Sequence, residues 1–432
     1  MHHQKIDQLR AQLNATGAAG AVLTGIDNVY YLSGYQSVMD GWQLPEPMSA
    51  VYVPADKSAP VVLCLPEASL IGIIVAKREG APISYDKLAV FDLLNFCQTA
   101  RAEDAYMQLG ADITAELGAI AGDILGTCQP TVIQSIATFL QDLQVSGKIL
   151  FDDMRVALRV QEASGSSIDI DIDIDINIGF DIGDAFETMF AARSIKTPSE
   201  IALFKESGRK ADSVMAHTVS QLGVGTKWCD VEKSVAHYMI DEGIDPLPSS
   251  PMLFGGGYDL AFRPDLFRTH YDTPFEAGQI AILETQGRYK NIWLDINRTA
   301  HMGEAAPEYR EQHDLVKRCF LQVAERLVPG NNSSEICEDV RHGLAQDLDA
   351  PGKLLMIVHS IGHVPLESPT AFPSTGLHAA VEGFEIKENM VLSFDCLYFG
   401  SRLGPSHMEN VFTINEKASS SIYHYPLDLI EV

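Results

Sequence analysis

A chain of 432 residues exceeds what one ordinary hydrophobic core supports and is expected to divide into two domains. Its 46% hydrophobic and 8% aromatic residues exclude a disordered polypeptide. With 31 Lys and Arg against 58 Asp and Glu, the formal charge is −27; such a surface repels phosphate backbones and anionic lipid, which argues against nucleic acid and membrane partners.

The opening MHHQKIDQLRAQL has no apolar h-region and places Ile6, Leu9 and Leu13 on one helical face. No apolar run approaches the roughly 18 residues of a membrane span. The seven cysteines (Cys64, Cys97, Cys128, Cys229, Cys319, Cys337, Cys396) include no CxxC pair, a pattern of buried thiols in a reducing compartment. A cytoplasmic protein is expected.

Strand-like runs follow at Ala21–Thr24, Val29–Gly34, Ala50–Val53 and Pro60–Cys64. Strands alternating with helical segments up to about residue 160 indicate an α/β domain. Residues 166–184, SSIDIDIDIDINIGFDIGD, alternate apolar and acidic with period two, including the Ile/Asp repeat at 168–176. The alternation spells a strand whose acids lie along a rod rather than around a point. It therefore reads as a solvated edge strand at a domain boundary in preference to a calcium site.

A new pattern starts at Arg193-Ser194-Ile195-Lys196-Thr197-Pro198-Ser199-Glu200, giving domains 1–190 and 191–432. Ser199 or Thr197 can cap a helix with Pro198 in its first turn, and Ile201, Phe204, Gly208, Ala211 and Met215 share one face. Further helices are expected near 230–242, 307–328 and 334–348, and strands at 278–284 and 293–299, before a strand-rich end.

Five residues of this second half carry ligand chemistry. Glu284 and Asp295 lie on two strand patterns joined around Gly287-Arg288-Tyr289-Lys290, and a hairpin can bring two such carboxylates together. Asp395 and Glu409 repeat the arrangement around the Gly400–Gly404 turn, and His359 stands at a strand end before Ser360-Ile361-Gly362. Hard oxygen ligands with one imidazole suit Mn²⁺, Fe²⁺, Co²⁺ or Zn²⁺, as one ion or as a two-metal pair about 3.5–4 Å apart. Each residue alone reads more readily as a surface acid or a hydrogen-bonded histidine; their joint order is what points to a site.

In that order the chain resembles the pita-bread family that includes Xaa-Pro aminopeptidase, prolidase, methionine aminopeptidase and creatinase. Tyr31–Tyr35 is similar to the N-terminal-domain motif, and Arg193–Glu200 to the entry into the catalytic domain. Asp295-Ile296-Asn297-Arg298-Thr299 resembles the family's D-I-T-R-T, and His359-Ser360-Ile361-Gly362 its H-G-I-G. Met390–Asp395 falls on the strand of the first family glutamate, and Met408-Glu409-Asn410-Val411 on the last. The resemblance implies an N-terminal creatinase-like α/β domain, a C-terminal pita-bread α+β catalytic domain, and a homodimer. It also implies a divalent-metal site of Glu284, Asp295, His359, Asp395 and Glu409, with Asp395 taking a proton during attack by water.

The departures bear on substrate. Glu284 replaces the first family aspartate and Asp395 the first family glutamate, so the ligand types survive with altered lengths. Leu366 stands where the family has its second histidine, and Phe267 near the place of an upstream substrate histidine; neither can donate to an oxyanion. His407 occupies the usual place of an arginine. His363 and His407 become the catalytic candidates, and Arg263, Arg268, His270 and Glu367 the candidates for binding substrate. One reading is a metal-dependent hydrolase of an amide or peptide-like C–N bond, acting on a short peptide. Another is a non-peptidase acting on a small zwitterion, as creatinase, ectoine hydrolase and the dimethylsulfoniopropionate lyases of this fold do, with Arg and His clamping a carboxylate. Ectoine hydrolase shares a glutamate at the place of Glu284 but lacks an aspartate at that of Asp295. A third is a non-catalytic binding protein on the same fold.

Overall fold

The computed structural model describes residues 2–37, 39, 44–93, 118, 120, 122–164, 180–246, 252–256, 272–371, 383–399 and 401–432. These form two compact units, Met1–Arg193 and Ser194–Val432.

The first unit is a mixed six-stranded sheet with helices. In chain order it runs α1 (His2–Thr16), β1 (Gly20–Leu23), α2 (Ile26–Ser33), β2 (Ala50–Pro54), β3 (Val62–Pro66), α3 (Leu70–Arg78) and β4 (Lys87–Phe91), followed by α4 (Val132–Asp142), β5 (Gly147–Phe151), α5 (Met154–Ala163), β6 (Phe180–Asp184) and α6 (Phe186–Ser194). The sheet order is β4-β3-β2-β1-β5-β6, with the pairs β1–β5, β5–β6 and β3–β4 parallel. Strands β1 to β4 are apolar and buried at nearly every position because both faces are covered there. Ala21, Leu23, Val51 and Val53 pack on one side; Val22, Ala50, Tyr52 and Val62 pack on the other.

Val29–Gly34, expected as a strand, is instead the second half of α2. Gly34 ends it in the left-handed conformation at φ 73°, its N–H donating to Tyr30 O at 2.8 Å. An apolar run this short does not let its period separate helix from strand. Of the Ile/Asp alternation, only the end from Phe180 onward is described, as β6; the repeat at 168–176 lies outside the described residues.

The second unit opens with α7 (Pro198–Gln221), which Thr197 caps, completing a capping box with Glu200. Then come α8 (Trp228–Asp241), β7 (Asp245–Pro246), β8 (Met252–Gly256), β9 (Ile280–Tyr289), β10 (Ile292–His301), α9 (Pro307–Ala324) and α10 (Ser333–His342). The strands β11 (Leu354–Ser360), β12 (Glu367–Ala371), β13 (Val391–Tyr398), β14 (Ser406–Ile414), β15 (Ser419–Ser421) and β16 (Ile430–Glu431) complete it. The main sheet runs β12-β11-β13-β14-β10-β9-β7, antiparallel along that path. Helices cover one face. Phe204, Val214, Val231 and Val235 from α7 and α8 pack with Leu283, Leu294 and Ile296; Val316, Phe320 and Val340 from α9 and α10 pack with Leu392, Phe394 and Met408. The mixed α/β first unit followed by an antiparallel, helix-backed second unit is the fold class expected from sequence.

Candidate metal centre

In a strand, side chains alternate between faces, and residues directly opposed across a pair share a face. Leu283, Leu294 and Ile296 take the helix-backed side, so Glu284, Asp295 and Asn297 take the other. The register extends that polar face across the sheet. Glu284 is opposite Asn297 and Gln286 is opposite Asp295. Asn297 is in turn opposite Glu409, Glu409 opposite Asp395, and Ser393, two residues before Asp395, opposite His359. His407, two residues before Glu409, lies on the same face. The structure thus brings Glu284, Asp295, His359, Asp395, His407 and Glu409 together from β9, β10, β11, β13 and β14. The β9–β10 turn is Lys290-Asn291, both at positive φ (49° and 62°), a little later than Gly287–Lys290 expected from sequence.

The groups are close and nearly all buried. His359 Nε2 is 3.3 Å from Asp395 Oδ2 and 3.9 Å from Glu409 Oε1. His407 Nε2 is 3.0 Å from Asp395 Oδ1. Ser393 Oγ donates to Glu409 Oε1 at 2.6 Å, and Gln286 Nε2 donates to Glu284 Oε1 at 2.7 Å and to Asp295 Oδ1 at 3.2 Å. The backbone N–H of Asp295 donates to the Tyr423 hydroxyl at 2.9 Å.

Four carboxylates in so little water oppose one another's ionisation. Burial, then the charges of Asp295 and Asp395, push Glu284 well above the usual carboxylate range. Burial, then Asp395, push Asp295 up to about 7 against the pull of His359. Burial, then Asp295, Asp395 and Glu284, push Glu409 well up. Asp395 goes the other way: burial opposes its ionisation, but hydrogen bonds from His359 and His407 hold its carboxyl well below the usual range. His359 is raised, since the attraction of Asp395 and Asp295 outweighs its burial.

The donors fit a divalent cation. Asp295, His359 and Glu409 place one ligand atom each within 4.8 Å of one another, and so do Asp395, His407 and Glu409. Carboxylate oxygens with imidazole suit Mn²⁺, Fe²⁺, Co²⁺ or Zn²⁺, and positive charge is what the crowded carboxylates need. Beside them the amide of Asn297 is fully buried with neither atom hydrogen-bonded among the described residues.

Other residues singled out in the sequence have different surroundings. His363 is buried, its Nδ1 2.8 Å from the Asn291 carbonyl at the hairpin turn. Glu367 is buried in an ion pair with Lys196 Nζ at 3.3 Å and accepts from the His363 N–H at 2.9 Å. A Cβ at Gly362 would come within 2.4 Å of Glu367 Oε1, which accounts for the glycine there. Leu366 is 52% exposed. Arg263, Phe267, Arg268 and His270 lie outside the described residues. Gln286, Ser393 and Asn297 were not picked out by sequence reasoning. Each sits two residues from a ligand-type side chain, and that offset is the signal that could have found them.

Comparison with known proteins agrees with this architecture. Residues 202–416, which span every member of the cluster, match the model of metallopeptidase family M24. Through this segment the chain is similar to that family. A Bacillus subtilis protein described as the uncharacterized peptidase YqhT is 24% identical over 245 residues, 56% of this chain and 66% of that protein, so the match spans just under two thirds of that relative. Among solved structures, an Xaa-Pro dipeptidase from Bacillus anthracis superposes with a TM-score of 0.71 at 16% identity, covering 100% of both chains. A dipeptidase from Pyrococcus horikoshii OT3 gives 0.71 at 16%, covering 99% of this chain and 100% of that one. The prolidase from Pyrococcus horikoshii OT3 gives 0.67 at 14%, covering 99% of each. At these identities the likeness is one of fold.

Proposed function

We propose that the chain is a metal-dependent hydrolase that cleaves an amide or peptide-like C–N bond, with one or two divalent ions held by Glu284, Asp295, His359, Asp395 and Glu409. The observation that supports it most is the convergence of these five side chains from five strands onto one largely buried face, in a chain similar to a metallopeptidase family. The chemistry a divalent cation supplies when bound is Lewis acidity, toward a carbonyl oxygen and toward water. The protein's own groups do the rest. Asp395, whose two oxygens face the imidazoles of His359 and His407, is the carboxylate to which we assign proton acceptance during attack. Ser393 and Gln286 fix the orientation of Glu409 and Glu284 by donating to them. The helix-backed side of the sheet keeps the polar face in register.

A second reading is favoured by Leu366. Where the resemblance implies an imidazole donating to the developing oxyanion, an exposed leucine offers none, and losing one such donor typically costs about 10²–10³ in rate. A small charged substrate, held through its carboxylate by Arg263, Arg268 and His270, asks less of that position. The homodimer belongs to the same proposal, and a sedimentation run at micromolar concentration showing only monomer would count against it.

The experiment is a side-by-side assay with added Mn²⁺ of Xaa-Pro dipeptides and of creatine-, ectoine- and betaine-like compounds. Weak or absent Xaa-Pro cleavage with turnover of a small zwitterion is expected. Xaa-Pro turnover at ordinary enzymatic rates, about 1–10³ per second, would show that Leu366 is harmless and restore the peptidase form of the first reading.

A further inference from the structure

Behind His359 lies a charged group that the proposed metal site does not use, and the inference here rests on that proposed site. His359 Nδ1 is 3.1 Å from the Ser360 carbonyl, which can only accept, so Nδ1 carries a proton. In the neutral ring the lone pair then falls on Nε2, the atom that faces Asp395 and Glu409. The Ser360 carbonyl thus decides which nitrogen of His359 is offered to a cation.

What holds Ser360 comes from the other side of the sheet. The β11–β12 register shifts at this point: His359 is opposite Thr370, but Ser360 is opposite Glu367. Irregularities of this kind re-aim a side chain. Ser360 is also opposite Leu392, which packs beneath α9 and α10, so its hydroxyl lies on the helix-backed side. There Lys196 Nζ stands 3.3 Å from both Ser360 Oγ and Glu367 Oε2. Glu367 Oε1 accepts from the His363 N–H at 2.9 Å, and the Lys196 N–H donates to the Asn389 carbonyl at 2.8 Å. The Lys196 and Glu367 side chains are only 3% and 1% exposed. Burying two charges costs both their hydration, so such a pair adds little stability over an apolar contact of the same size.

We propose that Lys196 and Glu367 are positioning residues. They grip Ser360 from the helix-backed side, keep its carbonyl against His359 Nδ1, and so present Nε2 to the cation. Glu367 then has both oxygens engaged within the protein, a part other than the substrate contact expected from its place in the sequence.

The test uses the full chain and Zn²⁺. Affinity is measured by competition with a chromophoric chelator. ¹⁵N-histidine NMR of the loaded chain reports the His359 ring, assigned by its loss in His359→Gln. In the wild type, Nε2 is expected to show the shift of coordination and Nδ1 a proton in slow exchange. The double variant Lys196→Met with Glu367→Gln removes both charges at nearly constant size and leaves neither buried alone. It should bind Zn²⁺ about 10–100-fold more weakly, the usual effect of losing the support of a ligating histidine, with the Nδ1 proton lost to exchange. A contribution to folding alone would lower the melting temperature and move neither readout. A folded double variant with wild-type affinity and a slow Nδ1 proton would overturn the proposal, and so would a wild type coordinated through Nδ1. Should the double variant fail to fold, Ser360→Ala still decides, because it removes the gripped hydroxyl and keeps the ion pair. Weaker binding and a faster Nδ1 proton are expected there, and wild-type values would overturn the proposal. A wild type that binds no Zn²⁺ overturns the metal-site reading itself, and this inference with it.

Discussion

The guanidinium of Arg298 is surrounded by acceptors from three segments: the Asn297 and Glu409 carbonyls, Asn410 Oδ1, and the Tyr425 and Pro426 carbonyls, at 2.6–2.8 Å. Burial pulls its pKa down to about 10, yet it stays charged at neutral pH. It faces away from the cluster, but it pins β10 to β14 at the point where Asn297 and Glu409 are opposed. Each buried acceptor left without a donor costs about 1–3 kcal/mol. Arg298→Ala is therefore expected to destabilise the chain by on the order of 3 kcal/mol, and a urea midpoint unchanged from wild type would contradict that. Asp295, His359 and Glu409 were legible in the sequence because each falls in a short motif of recognisable order. Gln286 and Asn297 were not, because a neutral amide becomes part of a site only once the register shows which carboxylate stands beside it.

Helices and hairpins were read with uneven success, for physical reasons. The start of α7 was legible to within two residues, at Thr197 or Ser199 around Pro198, because a cap is local chemistry, and Thr197 is the one that caps. Thr197 accepts from the Glu200 N–H at 3.3 Å, while Glu200 accepts from the Thr197 N–H at 2.8 Å. Thr197→Ala should cost about 1 kcal/mol, read as a lowered denaturant midpoint with an unchanged slope; an unshifted midpoint would mean that the cap contributes nothing. By contrast, nothing in Val29–Ser33 distinguishes the helical from the strand period over so short a run, and the segment is helical. On α9, His313 is buried with Nε2 3.1 Å from the Leu427 carbonyl, and burial is the main cause that lowers its pKa. The unfolded chain, where histidine titrates near about 6.5, then binds more protons than the folded one just below that pH. Stability from this group is complete above about 6.5 and is lost as pH falls toward the folded value. His313→Gln should flatten that acid limb of a melting-temperature profile, and an identical limb in the variant would assign the acid sensitivity to other groups.

Across the whole molecule, a formal charge of −27 already disfavours adding negative charge, and the second unit buries four carboxylates together. Asp295, at about 7 in the fold against about 3.9 unfolded, holds a proton in the folded chain that the unfolded chain has released. Without metal, stability is therefore greatest below about pH 4 as far as this group is concerned, and declines as pH rises through 7. A bound cation reverses the balance by favouring the ionised carboxylates, adding about 2.7 kcal/mol at a hundredfold excess over its dissociation constant. A melting temperature raised more by Mn²⁺ at pH 8 than at pH 5 is expected, and equal shifts at both would argue against carboxylate ligation. The two-unit organisation was readable from composition and motif order, whereas the joining of β9, β10, β11, β13 and β14 into one face needed the sheet itself. The measurement that tests the central claim most directly is elemental analysis of the purified chain beside Asp295→Ala and His359→Ala. Bound divalent metal in the wild type, lost or sharply reduced in each variant, is the predicted result; full metal stoichiometry in both variants would contradict the site.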